Sequence, residues 1–190
     1  MPASSLGLNN LNRNKTNALT NSVLEEISES LLNLENNHHI KSVIITGTDK
    51  FFSYGFDIND FLSYSKEDFK YFVIKFTELY TYMFGYSKPL IAALNGHTIA
   101  GGCMLDLACD YRVMVYGKAK VSLNEINLGA TVLAGSTEML RVLVENKNSS
   151  KILYSGAIFS ADEAETLDLI DEVISYDNLS RATVGIIKLR

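Results

Sequence analysis

The chain has 190 residues, of which 47% are hydrophobic and 21% charged; that suffices for one domain with a substantial core and excludes a disordered or low-complexity protein. Seventeen Lys and Arg against 22 Asp and Glu leave a net charge of -5, so the bulk field repels polyanions, no nucleic-acid partner is expected, and a phosphate-bearing ligand must be held by local donors. Cys103 and Cys109 lie in no Cys-x-x-Cys or Cys/His cluster, which argues against a disulfide framework and against a metal site.

Residues 1–10 lack the cationic start and long apolar run of a signal peptide. The longest uncharged stretch, residues 89–105, is interrupted by Asn95, Gly96, His97, Gly101 and Gly102, so no membrane span is expected and the reading is a cytoplasmic protein. Val23, Ile27, Leu31 and Leu34 recur at spacings of four and three; they predict an amphipathic helix over residues 19–34, with Thr20 as N-cap and Ser22/Glu25 as a capping box. The β-branched run at residues 42–47, closed by Gly47, predicts a parallel strand covered on both faces. Phe69, Phe72, Phe76, Leu79 and Met83 trace one stripe of a helix over residues 67–83, and its aromatics are read as core.

Lys88-Pro89 introduces a second buried strand at residues 90–94, which Asn95-Gly96 turns towards a helix over residues 101–108. Residues 111–116 read as a third strand, residues 133–144 and 161–167 as helices, and Val173-Ile174 as a last short strand. Strand and helix alternate, which predicts an α/β fold with parallel strands. Gly101-Gly102, opening a helix directly after a strand, presents backbone N–H groups where an anion would be stabilised. The same glycines could instead serve close helix packing, and both readings stand at this point.

Five blocks occur in order: LNRNKTNALT (residues 11–20), FFSYGFDI (51–58), NGHTIAGGCMLDLACDYRV (95–113), VSLNEINLG (121–129) and YSGAIFSADEAETLDLIDEVI (154–174). Together they resemble the crotonase superfamily, also called the enoyl-CoA hydratase/isomerase family. The resemblance implies a spiral of ββα-like units with parallel sheets and residues 1–190 as a single domain. It also implies a role in fatty acid metabolism, a homo-oligomer (trimeric in the family), and an acyl-CoA thioester as substrate, with coenzyme A carried in by the substrate and no other cofactor. Carried over residue by residue, the N–H groups of Phe56 and Gly101 form an oxyanion hole for the thioester carbonyl. Tyr54, Gly55, Phe56, Asp57 and Ile58 line the CoA pocket, and Arg13 and Lys15 meet its phosphates.

Hydratases of the family carry two glutamates, one after the glycine-rich helix start and one in a later "PE" or "NE" pair. Here the first position is Met104 and the second is Glu125, preceded by Asn124. Hydration needs one group to activate water and another to manage the α-proton, and Met has no ionisable group for either task. This pattern looks closest to the Δ3,Δ2-enoyl-CoA isomerases, which move a double bond with a single glutamate. In that reading Glu125 shuttles the proton, with a pKa raised by desolvation beside Met104, and Asn124 touches the substrate. The alternatives are a non-catalytic acyl-CoA-binding relative, or hydratase-like or other enolate chemistry on a thioester. Leu133 stands where the dienoyl-CoA isomerase branch needs a further acid. Asp106 is expected to point away from Met104 and to pair structurally, His97 to be structural, and Asp168 occupies a position where the family has glycine. The family's C-terminal helices are largely missing after residue 174; a natural short form and an incomplete product are both compatible with this.

Overall fold

The computed structural model describes residues 6–12, 15–179, 181 and 183. Strand β1 (Leu6–Asn10) and helix α1 (Asn21–Asn36) lead into a pattern that repeats three times. Each time, a longer strand is followed at once by a three-residue one: β2 (Ser42–Thr46) by β3 (Phe51–Ser53), β4 (Leu90–Leu94) by β5 (His97–Ile99), and β6 (Tyr111–Val115) by β7 (Lys120–Ser122). Helices α2 (Ile58–Ser63) and α3 (Lys66–Phe84) follow the first pair, and α4 (Gly101–Leu107) follows the second. A 3-10 turn (Glu125–Leu128), α5 (Ala134–Leu143) and α6 (Asn146–Ser155) follow the third; β8 (Phe159–Ser160), α7 (Ala161–Thr166) and β9 (Glu172–Ile174) complete the set. The four five-residue strands and the short β9 make a five-stranded parallel sheet in the order β1-β2-β4-β6-β9, and the other short ones a second sheet, β3-β5-β7-β8, in which only β8 is antiparallel. This is the spiral of ββα units that the resemblance implies.

Local chemistry explains most of these elements. Four of the five residues of β2 and all five of β4 are buried, as a parallel strand sandwiched between layers requires. Thr20 caps α1, its hydroxyl accepting from the Val23 N–H at 3.4 Å. The expected Ser22/Glu25 capping box does not form: Ser22 lies inside the first turn against the Thr20 hydroxyl, and Glu25 pairs with Lys75 on α3. The capping box falls instead at the start of α3, where Ser65 and Asp68 satisfy each other's backbone N–H. Phe72, Phe76, Leu79 and Met83 point into the core, but Phe69 is 45% exposed, so the stripe read as core is broken at its first member.

Asp106, at the far end of α4, is fully buried and reaches Cys103 rather than any cavity. Burial pushes its carboxyl well above the ordinary range. Arg112 beneath it donates to the Cys109 carbonyl and pairs with Asp171, each at 2.7 Å. Asp168 adopts φ +59°, the left-handed conformation that a family glycine would hold there and that Asp tolerates better than most residues. His97 rests its ring against Phe51 at 5.4 Å, and burial lowers its pKa. Cys103 and Cys109 are free buried thiols.

A cluster of rings ties the loop after β3 to α3. Phe56 meets Phe72 at 5.1 Å and Phe76 at 4.7 Å, both edge-on, and Phe61 from α2 meets Phe72 at 4.9 Å. Phe72 has no exposed surface. Phe72→Ala should therefore lower the unfolding free energy by about 3–5 kcal/mol, read from urea denaturation.

Candidate active site

Because β3, β5 and β7 run parallel, their carboxyl ends lie along one edge of the small sheet, the side on which α/β proteins generally hold ligands. The turns leaving these ends carry Tyr54 to Asp57, Ala100 and Gly101, and Asn124 and Glu125. They border a mainly apolar cavity of about 370 Å³.

Glycine makes the approach of the first two turns possible. Gly55 has φ +87°, and a Cβ there would lie 2.8 Å from the Ile99 oxygen and 3.0 Å from the Gly101 nitrogen. A Cβ on Gly101 would lie 2.6 Å from the Phe56 ring, and one on Gly102 would lie 2.5 Å from the Ser53 oxygen. Close packing is thus what the glycines allow, and it brings Phe56 and Gly101 together. The bridge between Leu19 and Phe56 uses the Leu19 N–H to the Gly55 oxygen (2.8 Å) and the Asp57 N–H to the Leu19 oxygen (3.2 Å), so it passes over the Phe56 N–H. Among the described residues neither the Phe56 N–H nor the Gly101 N–H donates to a protein acceptor.

Ala100, immediately before Gly101, has φ +50° and ψ -119°. The other non-glycine residues with positive φ among those described are Asn17, Asp49 and Asp168, all of types that tolerate it; alanine does not, and such a conformation costs about 1–3 kcal/mol. The turn is held by the Ala100 N–H donating to the Ser122 oxygen at 2.8 Å and by the Met104 N–H donating to the Ala100 oxygen at 2.9 Å.

Beyond β7, buried Leu123 anchors the chain and Glu125 opens the 3-10 turn. Gly129, in the left-handed conformation, closes that turn, and the Asn127 amide donates to the Gly156 oxygen at 2.9 Å. Glu125 is 7% exposed, and neither carboxyl oxygen finds a hydrogen-bond partner among the described residues. Burial pushes its pKa from 4.5 to about 7. Buried polar atoms are nearly always bonded, so a carboxyl left bare on a cavity wall stands out. At that pKa it can take up and release a proton near neutral pH. Met104, 1% exposed, shares the wall.

Of the residues assigned from the sequence, Tyr54, Phe56, Ile58, Met104, Asn124 and Glu125 line the cavity; Gly55, Asp57 and Gly101 do not. The Asp57 carboxylate is engaged in capping α2, accepting from the Asn59 and Asp60 N–H groups at 3.0 and 3.4 Å. Lys15 is exposed, and Arg13 lies outside the described residues. The sequence reading missed Ala100 and the wall formed by Phe61, Phe69 and Val73. The four-residue spacing of Phe69 and Val73 places them on one face of α3, but Phe69 had been absorbed into the core stripe. Among the described residues no group of three or more His, Cys, Asp or Glu could hold a metal ion, and no helix is long and apolar enough to cross a membrane.

Residues 3–188 match the family model described as enoyl-CoA hydratase/isomerase. The chain is 32% identical over 171 residues to a crotonyl-CoA hydratase of Syntrophomonas wolfei, covering 89% of this chain and 65% of that protein. It is 30% identical over 177 residues to the mitochondrial enoyl-CoA hydratase of Pongo abelii, covering 92% and 59%. The crystal structure of an enoyl-CoA hydratase from Bacillus anthracis superposes with a TM-score of 0.93 at 27% identity, over 99% of this chain and 73% of that one. The chain thus spans 59% to 65% of the length of these two curated relatives.

The raised pKa of Glu125 links stability to pH. Its folded value of about 7 exceeds the ordinary 4.5, so the fold favours the protonated acid; that contribution is complete below about pH 4.5 and is lost as pH rises through 7. Glu125→Gln removes the effect. Its Tm relative to wild type should increase between pH 5 and pH 8 by a few degrees, measured by thermal denaturation in parallel buffers.

Proposed function

The chain belongs to the enoyl-CoA hydratase/isomerase family, and on that premise we propose that it moves the double bond of an acyl-CoA from the 3 to the 2 position, using Glu125 as the only proton carrier. The observation that carries this reading is the bare, desolvated carboxyl of Glu125 facing a cavity in which Met104 fills the family's other acid position. The Glu125 carboxylate removes a proton from C2 of a 3-enoyl thioester. The electron pair spreads into the thioester, and the resulting dienolate oxygen accepts hydrogen bonds from the Phe56 and Gly101 N–H groups. The same side chain, now a carboxylic acid, returns the proton at C4, and the double bond lies between C2 and C3. No water is added or consumed. A pKa near 7 suits both halves of the cycle, because the group must be basic enough to take the proton and acidic enough to give it back. Preorganised N–H donors act where charge develops, and losing one typically costs on the order of 10²–10³ in rate.

The Phe61, Phe69 and Val73 wall supports an acyl pocket, and Asn124 is read as a contact to the substrate beside the base. Leu62, Leu128, Val142 and Tyr154, each more than two thirds exposed, support a homo-oligomer. A second reading, hydration, is favoured by the names of the curated relatives, both hydratases. Against it stands Met104, which offers no group to activate water.

Two substrates separate these readings. With 3-hexenoyl-CoA the wild type should form 2-hexenoyl-CoA, and Glu125→Gln should lower kcat by about 10³. Met104→Leu should stay within about threefold of wild type, since both side chains are apolar and of similar volume. Gly101→Ala, which drives a methyl into the Phe56 ring, should lower kcat by about 10². Only the carboxylate form starts the cycle, so kcat/KM should fall about tenfold per pH unit below pH 7 in the wild type. Hydration of crotonyl-CoA that outpaces isomerisation would overturn the proposal, and saturable thioester binding without turnover by folded wild type would leave a binding protein.

A further inference from the structure

We infer that Ala100 is a positioning residue: its methyl group, held in a backbone conformation that suits glycine, fixes the direction of the Gly101 N–H and keys it against the turn that carries the Phe56 N–H. The inference rests on the thioester reading above, because it assigns both amides to one carbonyl oxygen.

Two turns meet at Gly55, Ala100, Gly101 and Gly102, and of these residues only Ala100 has a side chain. Its conformation, φ +50° and ψ -119°, is one that glycine takes freely and alanine does not. Core packing does not account for the methyl, which is half-buried and stands outside the cluster of apolar side chains packed in the interior. It borders the cavity together with Phe56, Met104 and Glu125. A Cβ on Gly55 would lie 3.1 Å from it, so the methyl rests against the face of Gly55, the residue before Phe56.

The peptide plane that carries the Gly101 N–H can turn about two bonds, the Cα–C bond of residue 100 and the N–Cα bond of residue 101. Gly101 has no side chain to resist such a turn. On the other edge of the same plane the Ala100 oxygen accepts from the Met104 N–H at 2.9 Å, but a hydrogen bond tolerates tilts of a few tens of degrees. That slack is enough to swing the Gly101 N–H off the line to an oxygen in the cavity. A Cβ at residue 100 narrows the allowed range of ψ and removes the slack. Donors aimed at developing charge are effective when their direction is set before the reaction begins, and a strained residue held by its surroundings is one way to set it.

Ala100→Gly relieves the unfavourable conformation and at the same time frees the plane, so stability and activity should move in opposite directions. Its Tm should rise by about 2 °C in thermal denaturation. With 3-hexenoyl-CoA its kcat should fall about tenfold while KM stays within about threefold, because the donors act mainly on the transition state. Hexanoyl-CoA labelled with carbon-13 at its carbonyl reads the alignment without turnover, by infrared difference spectroscopy. Bound to the wild type, its C=O stretch should move to lower wavenumber, and Ala100→Gly should lose about half of that shift. Asp168→Gly serves as the control, because Asp168 also has a positive φ, +59°, but does not line the cavity. Its Tm should rise as well, with kcat and the carbonyl shift within about twofold of wild type. A carbonyl shift left intact in Ala100→Gly, a Tm that falls, or an equal loss of kcat in Asp168→Gly would each overturn the inference. If the carbonyl of hexanoyl-CoA does not shift on the wild type, the inference falls together with the thioester reading. If the shift is present and weakened in Ala100→Gly while 3-hexenoyl-CoA is not isomerised, the isomerase reading fails and the positioning role stands.

Discussion

Burying a carboxyl group without a hydrogen-bond partner is unfavourable, and the arrangement of this molecule's site is organised around one that is held that way. Both Glu125 oxygens are bare. Burial raises the Glu125 pKa to about 7, outweighing the lowering pull of its own backbone N–H, and no cation or side-chain donor is near enough to offset it. The wall supplies instead Met104, Ile99 and the aromatic side of α3. The result is an acid raised to about 7 by burial.

The backbone on the opposite side of the cavity is held in place by constraint. Three short parallel strands end side by side, and their exits are pulled together until only glycine fits at Gly55, Gly101 and Gly102. Ala100 takes an unfavourable conformation at the point where β5 gives way to α4. Strain of this sort persists only where the surroundings over-determine it; here the hydrogen bonds to Ser122 and from Met104 do so. The ring cluster of Phe56, Phe61, Phe72 and Phe76 braces the same turn from behind. The two walls are alike in one respect, since the Phe56 and Gly101 N–H groups and the Glu125 side-chain oxygens are all left without a protein partner among the described residues.

A single position separates this site from the two-acid pattern associated with hydration. Met104 is as buried as the core residues around it and lines the same cavity as Glu125, and its apolar side chain carries no ionisable group. Asp106, two residues on, cannot compensate, because the helix turns it towards Cys103 and away from the cavity.

Much of this was legible in the sequence. The long amphipathic helices and the continuous apolar strands appear as periodicity, which needs only neighbours along the chain. The motif blocks place Phe56, Gly101, Met104 and Glu125 in order, and the residue types alone state that there is one acid where two could stand. The strands β3, β5, β7 and β8 are two or three residues long and show no alternation; β9 is as short and is legible only through the β-branched pair Val173-Ile174. Phe69 and Asp57 differ from the sequence reading for another reason. One faces a cavity edge and the other caps a helix, and neither orientation follows from residue type. Local sequence determined which groups are present and which helices and strands carry them. Only the folded chain decided which polar atoms were left without partners, because satisfaction of a hydrogen bond depends on residues distant in sequence that packing brings near or keeps away.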